Sequence, residues 1–201
     1  MNKLVDMPLR GFSEDLASKK PVPGGGGTAA LVASLGAALG EMVGNLTIGK
    51  EKYKEVEPEI IGLTQEMDKL RKQLEILVDK DAEVFAPLAA AYKLKVETEA
   101  EKIEKETLIE ENLVKAAAAP LEVMEICAEA IELQMEFAEK GSKMAVSDAG
   151  VGVLLCKAGL KSAALNVYIN TASMKDRDLA DAMNEKADEL IEIYSKRADE
   201  V

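Results

Sequence analysis

The chain has 201 residues, enough for one substantial core, and only 3% of them are aromatic, while Ala, Leu, Glu and Lys dominate. That composition favours helix over sheet. Lys and Arg total 25 against 37 Asp and Glu, and the formal charge of −12 argues against a general nucleic-acid surface. Histidine is absent, which removes the Ser-His-Asp and Cys-His arrangements and nearly all zinc sites. Proton transfer then falls to Asp, Glu, Lys, Tyr or water, and no metal site is expected.

Asp6 comes early and no apolar segment precedes it, so the N-terminus does not read as a signal peptide. Phe12, Leu16 and Ala17 predict a short helix with Ser13 as N-cap, ending before Lys19-Lys20-Pro21. Pro21-Val22-Pro23-Gly24-Gly25-Gly26-Gly27-Thr28 follows. Consecutive glycines are costly to order, so this run marks a place where backbone approaches another helix or a ligand very closely. Pro21 to Gly27 is read as non-helical, with the first long helix starting near Thr28. The small residues Ala29, Ala33, Gly36, Ala37, Gly40 and Gly44 then recur at helical spacing and form a groove that admits a second helix. Thr28 to Gly40 falls short of the ~20 residues a membrane span needs, so a buried core helix is expected and no membrane partner.

Pro58 suits the first turn of another helix, whose stripe runs from Ile60 through Met67, Leu70, Leu74 and Val78 to Phe85, with Pro87 expected to bend or interrupt it. Lys93 to Lys105 reads as an exposed turn and the start of the next helix. Leu108 to Lys140 is amphipathic, interrupted by Pro120 and stopped at Gly141. Ser147 or Asp148 can cap a helix to about Thr171, and Asp178 to Ala198 makes a last charged helix. Cys127 and Cys156 lie in apolar helical patterns and read as reduced core residues, consistent with a cytoplasmic protein. The expectation is an all-α, single-domain bundle of five or more long antiparallel helices over residues 1–201.

The glycine run does not match GxxxxGK[ST], since no Lys follows it, and no apolar strand precedes it. Exposed amides at the start of the next helix can still hold a polar ligand group. Lys50 and Tyr53, three apart, share a face if their segment is helical and can relay protons without histidine. Asp81 reads either as a solvated carboxylate or as a functional one, and Asp148 as a cap. Asn166 and Asn170 sit four apart on an apolar helix, where a buried amide needs partners: either another helix or a polar ligand.

The run Pro21 to Ala30, together with Leu46-Thr47-Ile48-Gly49-Lys50-Glu51-Lys52-Tyr53, resembles the cyclodeaminase/cyclohydrolase family of folate enzymes. Asp81-Ala82-Glu83-Val84-Phe85, Pro120-Leu121-Glu122, Ser147-Asp148 and Ala163 to Asn170 match in the same order. Gly141-Ser142-Lys143 departs from the family's Gly-Asn. The resemblance implies an all-helical homodimer acting on a tetrahydrofolate one-carbon substrate in a cleft near the subunit interface, with no metal or redox cofactor. It implies Lys50, Tyr53, Asp81 and Asp148 as catalytic residues, the two Asp roles being exchangeable between proton transfer and pairing with the pterin ring. Pro23, Gly24, Gly25, Gly26, Gly27, Thr28, Asn166 and Asn170 would contact substrate. Hydrolysis of 5,10-methenyltetrahydrofolate to 10-formyltetrahydrofolate is the first expectation. Formimidoyltetrahydrofolate cyclodeaminase activity is the second, and a non-catalytic helical scaffold the third.

Overall fold

A computed structural model describes residues 3–201 and shows six α-helices and, among those residues, no strand. They are α1 (Leu9–Leu16), α2 (Gly25–Asn45), α3 (Glu57–Lys93), α4 (Glu99–Lys140), α5 (Val146–Thr171) and α6 (Arg177–Ala198). Short 3-10 turns at Glu51–Tyr53 and Lys143–Ala145 precede α3 and α5. The all-helical expectation holds, and the core is one cluster shared by all six helices.

Helix α2 is central because its small-residue face lets three helices reach its backbone. A Cβ on Gly36 would stand 2.7 Å from the Gly152 carbonyl of α5 and 2.7 Å from the Cys156 sulfur. A Cβ on Gly159 would meet Ala33 at 2.8 Å and the Ala29 carbonyl at 3.0 Å, so α2 and α5 run antiparallel in direct backbone contact. Gly40 faces Met67 and Gly27 faces Val78, which sets α3 antiparallel to α2 as well. From α4, the fully buried Gln134 donates its Nε2 to the Gly36 carbonyl at 2.7 Å, in space left by Gly40 and Gly152. α6 closes the bundle through Thr171 to Asn184 (2.7 Å), Tyr168 to Asp188 (2.5 Å) and Arg197 to Glu132.

Several boundaries differ from expectation. α1 begins after Pro8, which places Ser13 inside the helix. α5 has Ala145 as N-cap and no side-chain cap, so Asp148 is the third helical residue and caps nothing. Pro87 and Pro120 lie inside continuous helices. A helix of 37 or 42 residues keeps its other backbone bonds and its packing when one is missing. Only α4 carries a full capping box, between Thr98 and Glu101.

The largest correction concerns the glycines: α2 begins at Gly25, so Gly25 to Gly27 form its first turn. With 21 residues, α2 is long and apolar enough to pass for a membrane span, as is Lys143–Thr171, which overturns the argument from length. Packing accounts for part of the apolarity: 56% of the α2 window and 44% of the second are buried inside the bundle.

Two glycine substitutions separate packing from propensity. Gly36→Ala must push apart α2 and α5 and is expected to cost about 1–3 kcal/mol. Gly62→Ala, on an exposed turn of α3 with nothing within 4 Å of the new Cβ, should stabilise by about 0.5–1 kcal/mol. Urea unfolding midpoints of the two variants check both signs.

Candidate active site

The first turn of α2 rests on Asp81 of α3. Gly27 N–H donates to Asp81 Oδ2 at 2.9 Å, and a Cβ on Gly26 would stand 2.1 Å from Asp81 Oδ1. Glycine is therefore required at 26 because a carboxylate occupies the place of its side chain. Asp81 is partly buried, and desolvation raises its pKa above 3.8 against the opposing bond from Gly27. The solvated reading of Asp81 does not hold.

Beside this contact opens a cleft of about 160 Å³ lined by Pro21, Val22, Gly24, Gly25, Gly26, Asp81, Val84, Phe85, Ala116, Asn166, Ile169 and Asn170. Asp81 is the one titratable group in that lining. Asn170 donates both amide hydrogens to backbone, to Ala116 O at 2.9 Å and Asn166 O at 2.8 Å. Asn166 donates to Ser162 O at 3.0 Å. These are the structural partners that buried amides need, and they leave each Oδ1 without a donor among the described residues. Asp81 uses Oδ2 for Gly27, and its Oδ1 likewise has no donor among the described residues. The amides of Gly25 and Gly26, in the first turn, have no acceptor among the described residues. The lining residues thus carry three acceptor oxygens and two backbone donors without partners among the described residues.

The remaining candidates lie at the other end of α2. Tyr53 Oη accepts the Lys143 N–H at 3.0 Å, and Thr47 Oγ1 accepts the buried Ser142 N–H at 2.8 Å. These two bonds fasten the turn before α5 to the segment after α2. The Lys143 amide, the largest influence on Tyr53, holds its phenol below the ordinary value of 10.0. The Lys52 ammonium stands 5.3 Å from the Tyr53 ring centroid. Lys50 precedes the 3-10 turn and lines a separate hollow of about 320 Å³ with Gly49, Glu51, Lys54, Glu57, Pro58 and Ile61. Asp148, half-buried, lies one turn beyond Lys143.

Within one chain, therefore, the expected residues form two groups. Gly24, Gly25, Gly26, Asp81, Asn166 and Asn170 meet at one end, and Lys50, Tyr53 and Asp148 lie at the other. Eighteen residues of α5 separate Asp148 from Asn166, about 27 Å along the axis. Pro23, Gly27 and Thr28 do not line the cleft; Thr28 instead donates its hydroxyl to Gly24 O at 2.7 Å. Phe85, read as a core residue, is 40% exposed at the cleft. Its spacing of four from Asp81 on a helix was the available signal.

A family model described as Formiminotransferase-cyclodeaminase matches residues 8–189. A methenyltetrahydrofolate cyclohydrolase of Methylorubrum extorquens is 45% identical over 170 residues, covering 85% of this chain and 82% of that protein. The formimidoyltransferase-cyclodeaminase of Mus musculus is 35% identical over 173 residues, where the match spans 86% of this chain and 32% of the larger protein. The crystal structure of formiminotetrahydrofolate cyclodeaminase from Thermotoga maritima superposes with a TM-score of 0.86 at 29% identity, covering 98% of this chain and 96% of that one. This all-helical bundle is thus the fold of a family of folate one-carbon enzymes. The chain belongs to the formiminotransferase-cyclodeaminase family.

Because burial raises the Asp81 pKa, the native state binds more protons than the unfolded chain above pH about 4. The stability tied to this group is full below the unfolded pKa and is lost as pH rises through the folded one. Asp81→Asn keeps an acceptor for Gly27 and removes that loss. Its unfolding midpoint should exceed the parent's at pH 7, and the gap should close as pH falls toward 4.

Proposed function

We propose that the protein hydrolyses 5,10-methenyltetrahydrofolate to 10-formyltetrahydrofolate in cytoplasmic one-carbon metabolism. The observation that carries this reading is the polarity pattern of the Asp81 cleft. A reduced pterin presents N–H groups along its amino-pyrimidine edge and a carbonyl beside them. Asp81, Asn166 and Asn170 supply acceptors for the first, and the Gly25 and Gly26 amides supply donors for the second. Phe85 and Ile169 offer apolar surface to the ring faces. Of the two roles open to the carboxylates, ring recognition fits Asp81 and leaves proton handling to Asp148 with Lys50. The substrate's one-carbon unit is cationic, which suits a protein of net charge −12.

The reaction needs water to attack the bridging carbon, losing a proton to a base, and then a proton for N5 as its bond to that carbon breaks. Lys50 and Asp148 are the groups for these transfers, with Tyr53, its phenol oxygen held by Lys143, orienting the one-carbon unit. No metal or redox group is needed for either step.

A homodimer supports this chemistry because a single chain keeps the two groups of residues apart. α2 and its C-cap expose Leu35, Met42 and Leu46, and α5 exposes Val151, Leu154, Leu165 and Ile169, the last two at 68% each. An isologous contact through the middle of this apolar face sets the Asp148 end of one protomer against the Asn166 end of its partner. Each cleft would then hold its own Asp81 and the other protomer's Lys50, Tyr53 and Asp148.

The cyclodeaminase reaction, in which N10 attacks the formimidoyl carbon and ammonia leaves, uses the same clefts. It has support from the Thermotoga neighbour at a TM-score of 0.86. Decay of methenyltetrahydrofolate absorbance and ammonia release from formimidoyltetrahydrofolate separate the two, and accelerated decay without ammonia release is expected. A protein that neither binds folate nor accelerates either reaction would be a scaffold.

Mixing inactive subunits tests the shared cleft. Lys50→Ala and Asp81→Asn proteins, each expected to fall at least about tenfold in kcat/KM, should recover roughly a quarter of parental activity when unfolded and refolded together. Half of the random dimers then carry one cleft with both groups intact. No recovery would place all the chemistry within one chain.

A further inference from the structure

Pro120 is buried on α4, four residues after Ala116, and has no backbone N–H. In a regular helix the amide at position 120 would bond the carbonyl of Ala116. Here that carbonyl, 5% exposed as a residue and lining the cleft, instead accepts Asn170 Nδ2 across the α4–α5 contact at 2.9 Å. The second hydrogen of the same Nδ2 goes to Asn166 O at 2.8 Å. With both hydrogens committed, the Asn170 amide has one orientation, and its Oδ1 is the atom left for the cleft. The helix is not broken at Pro120, so a turn of α4 lacks one of its own bonds while the freed acceptor is used by a neighbouring helix.

We propose that Pro120 is a positioning residue for the proposed folate cleft: by withholding its amide it assigns the Ala116 carbonyl to Asn170, and so fixes Asn170 with its acceptor oxygen toward the substrate. This rests on the reading of that cleft as the site of the pterin ring. An alanine at 120 would bring an N–H to the Ala116 carbonyl, on the side of α4 where the proline ring now pushes that carbonyl out of the ladder. Asn170 would lose sole claim to the carbonyl, and its amide could turn to present a donor where the ring's N–H edge needs an acceptor. The proline therefore lowers helix stability and raises ligand affinity, whereas a residue kept only for packing raises stability and leaves affinity unchanged.

The test uses the full chain, with stable 5-formyltetrahydrofolate as probe and methenyltetrahydrofolate as substrate. Pro120→Ala should unfold at a urea concentration at or above the parent's, bind 5-formyltetrahydrofolate about tenfold more weakly, and raise KM more than it lowers kcat. Asn170→Ala should weaken binding similarly, and the double variant should be no weaker than either single one. Unchanged affinity in Pro120→Ala, additive effects in the double variant, or a Pro120→Ala protein that fails to fold would each overturn the proposal. If the parent binds no folate, the site reading fails while the local claim stays testable. The Asn170 side-chain amide hydrogens, protected from exchange in the parent, should then lose protection in Pro120→Ala, and retained protection would refute it.

Discussion

Helix α2 meets its neighbours through backbone, and this close approach sets how near α3, α4 and α5 stand to it. Gly36 leaves room for the Gly152 carbonyl and the Cys156 sulfur, Gly40 for Gln134 and Met67, Gly44 for Thr64 and Phe137, and Gly159 for Ala33. A helix so rich in glycine has poor intrinsic stability and is held by tertiary contact. The shape of the cleft follows, because the depth at which α2 sits against α3 decides how far Asp81 enters its first turn.

At that first turn the glycines have a second use. Gly26 leaves the space that Asp81 Oδ1 occupies, and Gly27 supplies the amide that holds Oδ2. The neighbouring amides of Gly25 and Gly26 have no acceptor among the described residues, so one turn provides a seat for a carboxylate and donors for a ligand. On the opposite wall, Asn170 commits both amide hydrogens and Asn166 one to backbone carbonyls, and their oxygens have no donor among the described residues. The polarity of the site is fixed by bonds made behind it.

The helical class was legible in the sequence, since the stripes of α3, α4 and α6 repeat at helical spacing and turn residues separate them. The small-residue face of α2 also announced a buried, tightly packed helix. Its start is not legible, because glycine's low helix propensity points to Thr28 and nothing local reveals the Asp81 carboxylate that fills the space beside Gly26. The continuity of α4 through Pro120 is hidden for a related reason: local rules count the bond a proline removes, not the Asn170 amide that uses the acceptor it frees. The burial of Asp81 depends on a helix end 54 residues away in sequence, and nothing near Asp81 reveals it. Likewise, Lys50 and Asp81 looked like one site until the length of α2 and α3 set them at opposite ends.

In the proposed dimer one ligand engages both the α2 first turn of one protomer and the segment around Lys50 of the other. Amide hydrogen exchange with and without saturating 5-formyltetrahydrofolate tests this directly. Gain of protection at both Gly24–Thr28 and residues 47–53 is the expected result. Protection confined to the hollow around Gly49 and Ile61, with Gly24–Thr28 unchanged, would contradict it.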